Sequence, residues 1–319
     1  MLTFVVRTGW KKVWTLFFVS VISFAVIHLA PGDPSQIDPM NPRFTKEQLQ
    51  RYRSAFELDK PISVQYSRFY WKLFSGELRS FKDNQAVMPK ILWRAWNSLP
   101  LFVVGTVIVW AYAFPLGIAA AVRRNSRFDK LTTVLVFALI SVPGFYLSYL
   151  AIIFVVRTLE VDVFGLQTFG RQDLGWLTWL MDRTWHLVLP SLLGAAAGIA
   201  VLSRYVRSQM LEVVSSDYVR TARAKGLPED QVLYDHALAN ALLPFVTMFG
   251  LLLPGLIGGS VIFETIFAWP GIGRLAYEAI LNRDYPVVIS IAFLASVLTL
   301  VGTLLSDLLY MVVDPRIRL

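Results

Sequence analysis

Six stretches of this chain are almost continuously apolar: 13–30, 99–122, 131–156, 186–204, 237–263 and 287–313. A helix needs about 20 such residues to cross the hydrocarbon core of a bilayer, so the pattern predicts an all-α polytopic membrane protein with six transmembrane helices. The polar stretches divide the chain into a tail and first helix (1–30), an outer segment (31–97), a five-helix core (98–313) and a short tail (314–319). In the outer segment Pro31-Gly32-Asp33-Pro34 breaks the first helix. Residues 45–56 then read as a capped helix, with Thr45 followed three positions on by Gln48, and 66–74 carries aromatics at helical spacing. The segment is expected to form a small subdomain over the mouth of the core, too short for a large core of its own.

The polar connection 205–236 is different in kind. Ser215 or Ser216 stands where a helix is capped, and Asp217 follows in the first turn. Good helix formers run from Tyr218 to Lys225, and Gly226 sits where a left-handed terminus belongs. Pro228 opens a second helix, followed by Glu229 and Asp230. Ala222 and Ala224 keep the first helix slim near the corner. A slim, capped element of mixed charge is suited to enter a groove on another protein; a solvated connector is the plainer alternative.

Charge sets the orientation. Fourteen Lys and Arg fall at the N-terminus, in the second and fourth connections and in the tail, against five in the short loops opposite. Basic residues gather on the cytoplasmic side, and loops beyond about 60 residues cross regardless of charge. Both termini and the 205–236 loop are therefore expected inside and 31–97 outside. The net charge of +8 is thus a matter of topology rather than nucleic-acid binding. Trp10, Trp14, Trp93, Trp96, Trp176, Trp179 and Trp185 sit near span ends, where such rings anchor helices at the interface. The first apolar run is longer than a signal peptide's and lacks a small-x-small cleavage site, so it reads as a retained span.

Composition narrows the chemistry. Hydrophobic residues make up 55% and charged residues 16% of the 319. With no cysteine there are no disulfides, thiol nucleophiles or thiolate-held metals. Three scattered histidines, His28, His186 and His236, argue against a metal site, so none is expected. No Ser/His/Asp set is plausibly spaced, and no Gly-rich Lys-Ser/Thr phosphate loop occurs. The chain is expected to catalyse nothing and to hold no cofactor.

The residues also carry a family resemblance. The run from Asp217-Tyr218-Val219-Arg220-Thr221-Ala222-Arg223-Ala224-Lys225-Gly226-Leu227 to His236–Pro244 resembles the cytoplasmic EAA loop of ABC importer permeases. Its likeness is greatest to the dipeptide/oligopeptide/nickel branch. His28–Pro34 (HLAPGDP), Phe267–Leu275 (FAWPGIGRL) and Val312–Arg318 (VVDPRIR) are similar to that branch too. Arg220 and Thr221 stand where the general loop has Glu-Ala, and Lys225 replaces the acid before Gly226. The resemblance implies a type I ABC importer transmembrane domain in a bacterial or archaeal plasma membrane. It implies pairing with a second homologous permease, two cytoplasmic ATPase subunits that carry the ATP and Mg, and an extracytoplasmic solute-binding protein. Residues 217–227 would be the ATPase-docking element, with Gly226 fixing its corner. Di- or oligopeptides are the implied solute, with nickel complexes or oligosaccharides as alternatives.

The pathway is less legible. Pro254, Gly255, Gly258 and Gly259 permit either close helix packing or a gate hinge. Asp307, the only acid well inside an apolar span, is a pathway candidate or a structural residue near the inner end. Glu264 faces the pathway mouth or is an interfacial acid in water. Pro143-Gly144 reads as a kink. An ATP-independent channel or secondary transporter remains as a different class, although the halves show no clear repeat. An intramembrane enzyme would need an acidic partner for Asp307.

Overall fold

The computed structural model describes residues 2–29, 59–170, 175–250 and 259–313, and the single positions 47, 50, 54, 57, 252 and 255. The Pro31–Pro34 break, most of the expected 45–56 helix, Pro254, Gly258 and the 314–319 tail lie outside the described residues.

The described chain is helical, as the pattern predicts, with one isolated bridge between Arg79 and Ala86. The main helices are α1 (Leu2–Leu29), α2 (Ile62–Ser75), α3 (Val87–Val122), α4 (Arg127–Ser141), α5 (Gly144–Leu159), α6 (Trp176–Val214) and α7 (Asp217–Ala224). A π-helical stretch, Val232–Leu238, then leads through Ala239–Ala241 to α8 (Leu243–Gly250), α9 (Val261–Ile266), α10 (Ile272–Leu281) and α11 (Tyr285–Val313). Among the described residues α1, α3, α6 and α11 are long and apolar enough to span a bilayer. The α4–α5 pair makes a fifth if counted as one span.

Three expectations change here. The third span is not straight: α4 and α5 meet at 91°. Val142 before the proline is extended (φ −94°, ψ 121°), as the Pro ring demands of its predecessor. The expected kink is therefore a full corner. The fourth span is far longer than 186–204. Helix α6 continues for ten residues on each side, because polar residues keep intrahelical hydrogen bonds in water as well as in lipid. The stretch expected as a fifth continuous span is interrupted at Leu242, where Pro244 lacks the N–H that would continue the ladder.

Packing explains the order of the bundle. Helices α3 and α6 lie against each other so closely that a Cβ on Gly117 would come within 2.6 Å of the Ser203 carbonyl. Small residues at such contacts let helices in lipid gain van der Waals contact. Ala113, Ala121, Leu202, Val206, Met210 and Phe245 complete this inner core. A second core joins α1, α2, α10 and α11 through Phe24, Phe69, Tyr70, Leu73, Ile272 and Phe293. The aromatic run expected to be helical is α2. It lies on the bundle, with Tyr70 donating a hydrogen bond to the Ser20 carbonyl of α1 at 3.2 Å. The interfacial tryptophans of the sequence reading are exposed on the protein surface, as lipid anchors must be, whereas Trp269 is buried.

Candidate functional site

Helix α7 has one buried face only. Val219 and Ala222, three residues apart, pack on Val232 and Ala237 with Val213 and Val214 beside them. Asp217, Tyr218, Arg220, Thr221, Arg223 and Ala224 are exposed, as are Lys225, Gly226 and Leu227 beyond the helix. The expected serine cap takes another form. Ser216 occupies the cap position, but its hydroxyl donates back to the Val213 carbonyl at 2.6 Å, and that of Ser215 donates to Glu212 at 2.8 Å. Asp217 supports the first turn and lies 3.5 Å from Arg220.

Gly226 ends the helix with φ +76°, the left-handed geometry that only glycine adopts at low cost. Its N–H bonds the Arg223 carbonyl at 2.9 Å. Pro228 comes one position earlier than expected, as the cap before Glu229–Gln231. Across the corner Arg223 grips Glu229 with two hydrogen bonds, 2.7 and 3.1 Å. The bond from Arg223 holds the Glu229 carboxyl below its ordinary range and raises the guanidinium in turn. Both are well exposed, so solvent screens the pair and it contributes little. Helix α6 carries this insert ten residues past Arg204, about 15 Å at 1.5 Å per residue. A short ledge thus stands away from the apolar bundle.

Within the bundle is a cavity of about 300 Å³ lined by Phe102, Thr106, Trp110, Ser191, Phe263 and Glu264 among others. Glu264 is not the interfacial acid in water that was one expectation: it is completely buried, beside the cavity it helps to line. Its Oε1 accepts from Ser98 Oγ at 2.8 Å and from the Ser260 N–H at 3.3 Å, and its Oε2 accepts from the Arg274 N–H at 2.8 Å. Ser98 Oγ also accepts from the Ile272 N–H at 2.8 Å. Gly271 lies against the carboxylate where any side chain would collide with it. Next to Ser98, Asn97 accepts from Trp269 Nε1 at 2.8 Å through its carbonyl. The α9–α10 hairpin is thus hung on two residues of α3 and forms a roof beside the cavity. The polar Asn97-Ser98 pair at the head of an apolar run was the available signal, and sequence reasoning did not use it.

The other candidates are scattered. Gly259 (φ +53°) packs on Gly273 and Glu264 in the roof, and Gly255 lies against the Phe102 ring. Asp307 lies far along α11, away from the cavity lining, with its side chain about half exposed and 3.8 Å from Lys12 of α1. Lys12 also donates to Thr303 Oγ1 at 2.5 Å and to the Leu300 carbonyl at 3.3 Å. That contact favours the helix-pairing role. The insert, the roof and Asp307 are three separate places.

A bundle of membrane-spanning helices with a half-open cavity and one capped helix outside it defines a multi-pass membrane protein. The chain belongs to the family of binding-protein-dependent transport system inner membrane components, whose pattern matches residues 113–319; the matching N-terminal family covers 1–94. It is 36% identical over 320 residues to the oligopeptide transport system permease protein AppB of Bacillus subtilis strain 168, covering all of both chains. It is 36% identical over 322 residues to the glutathione transport system permease protein GsiC of Salmonella paratyphi A. With the dipeptide transport system permease protein DppB of Escherichia coli K12 the figure is 35% over 336 residues. Both matches cover the whole of this chain and 99% of the relative.

Proposed function

We propose that this chain is the permease subunit of an ATP-driven, binding-protein-dependent importer of di- or oligopeptides in a bacterial inner membrane. It forms half of the translocation pathway beside a second, homologous permease. Residues 216–231 dock into one of two cytoplasmic ATPase subunits, which hold the ATP and Mg. A solute-binding protein meets the outer face, toward which residues 31–97 project, while both termini lie inside. Peptides are favoured over nickel complexes and oligosaccharides because relatives matching the full chain carry oligopeptide, dipeptide and glutathione in their names. The observation that carries the docking assignment is the geometry of α7: one face buried, the other exposed, and its end fixed by a left-handed glycine.

Gly226→Val tests it. A Cβ at Gly226 meets nothing within 4 Å, so no neighbour crowds the first added atom. What remains is the backbone cost of the left-handed region, about 1–3 kcal/mol for a β-branched residue. The variant should insert and pair with its partner permease. It should then lose ATPase subunits on co-purification, or hydrolyse ATP without moving peptide. Gly226→Ala should be milder, at about 1–2 kcal/mol. Normal peptide uptake by Gly226→Val with its ATPases bound would make the insert a connector and remove the docking assignment.

A further inference from the structure

The stem of the insert is tied to a second helix by a pair that plays no part in α7 or the cavity. Asp129 lies in the first turn of α4, and Arg207 on α6 lies ten residues before Asp217. Arg207 Nε meets Asp129 Oδ1 at 2.7 Å and Nη2 meets Oδ2 at 2.9 Å, a two-pronged contact. Asp129 is 4% exposed. Its position is held independently of Arg207 as well, because Oδ2 also accepts the Asn125 N–H at 2.9 Å. Its own N–H bonds the Ser126 cap at 3.2 Å. Helix α4 therefore already has its cap, and the ion pair is not needed to start it. Arg204, one turn earlier on α6, points instead at the Phe137 ring, 4.2 Å from its centroid.

Asp129 is buried and Arg207 about a third exposed (31%); such a pair is a poor source of stability, but its two-pronged geometry can fix the register of two elements. Here the two elements are mechanically placed. The lower part of α6 leads directly into α7 and is packed closely on α3 at Gly117. Helix α4 packs against α6 and touches α3, and beyond the corner at Val142-Pro143 the chain continues into α5. Past that corner, α5 carries Ile152 and Val155 against Phe263, Ile266 and Phe267 of the roof. The Phe263 ring also lies against Gly144, at the start of α5.

We infer that Asp129 and Arg207 are positioning residues that make α4 follow the stem of α6, so that displacement of the docked insert reaches α5 and the roof over the cavity. The inference rests on the ATP-driven reading of the chain.

The test measures solute moved per ATP hydrolysed by the assembled transporter in proteoliposomes. The variants are Asp129→Asn, Arg207→Gln and the exchange Asp129→Arg with Arg207→Asp. Both single variants should keep hydrolysing ATP while the ratio falls by about 2- to 30-fold, the range for residues that carry coupling between sites; the exchange should recover most of it. Nitroxides on Leu131 and Ser208, both exposed, read the α4–α6 distance directly. It should stay narrow through the ATP cycle in the parent chain and broaden in the single variants. An unchanged ratio with an unchanged narrow distance would overturn the inference. If the single variants do not assemble, the distance distribution of the chain purified alone decides in the same way. A parent transporter whose uptake ignores ATP would instead overturn the proposed function, with the distances still judging the clasp.

Discussion

Glu264→Gln keeps the size of a buried side chain and halves its capacity to accept hydrogen bonds. The carboxylate takes three: Ser98 Oγ and the Ser260 N–H on one oxygen, the Arg274 N–H on the other. A glutamine supplies one oxygen and one NH₂ in their place. With its oxygen toward Arg274, the NH₂ faces Ser98, whose hydroxyl can turn to accept it, and the Ser260 N–H is left bare. With the oxygen the other way, the NH₂ faces the Arg274 N–H, donor against donor. Either arrangement strands at least one donor, at about 1–3 kcal/mol. At roughly 2–4 °C per kcal/mol, the midpoint of thermal unfolding should fall by about 2–12 °C. Tryptophan fluorescence of the purified protein in detergent reads it, since Trp269 belongs to the same roof. Glu264→Ala should fall further, because all three donors lose their acceptor and a void opens beside Gly271 and Gly259. A glutamine variant as stable as the parent would refute the idea that the roof hangs on a carboxylate.

If Asp307 serves helix pairing through Lys12, then Asp307→Asn should lower the yield of folded complex and leave transport per assembled complex within about twofold, as expected of an exposed pair worth about 0–1 kcal/mol. A loss of transport in fully assembled complexes would return Asp307 to the pathway. Cysteine placed at the exposed Ser54 should react with an impermeant reagent in intact cells, and cysteine at Ser216 only after lysis. The reverse pattern would invert the proposed topology.

How much of this was readable beforehand depends on the distance over which each feature is encoded. The insert was legible because its signals are local. Gly226 ends a helix whether or not anything touches it, and no neighbour lies within 4 Å of its missing Cβ. The kink at Pro143 was legible for the same reason, as a steric effect within one or two peptide units, whereas the interruption before Pro244 was not, because the apolar run continues past it. The serine cap failed because the Ser216 hydroxyl turns back to donate to the Val213 carbonyl and accepts from no N–H of the following turn.

Long apolar runs fixed the helical, polytopic class on their own, because lipid offers the backbone no hydrogen bonds and the chain must satisfy them internally. They did not fix where helices end, since α6 runs on through water beyond both edges of its apolar run. What only the tertiary structure decided are the pairings between distant residues: Ser98 with Glu264 across 166 positions, Lys12 with Thr303 across 291, Arg207 with Asp129 across 78. A carboxylate reads the same in sequence whether it faces water or three buried donors. Its burial depends on which helix is packed beside it, and that is set by side-chain fit between helices, not by the spacing of residues along any one of them.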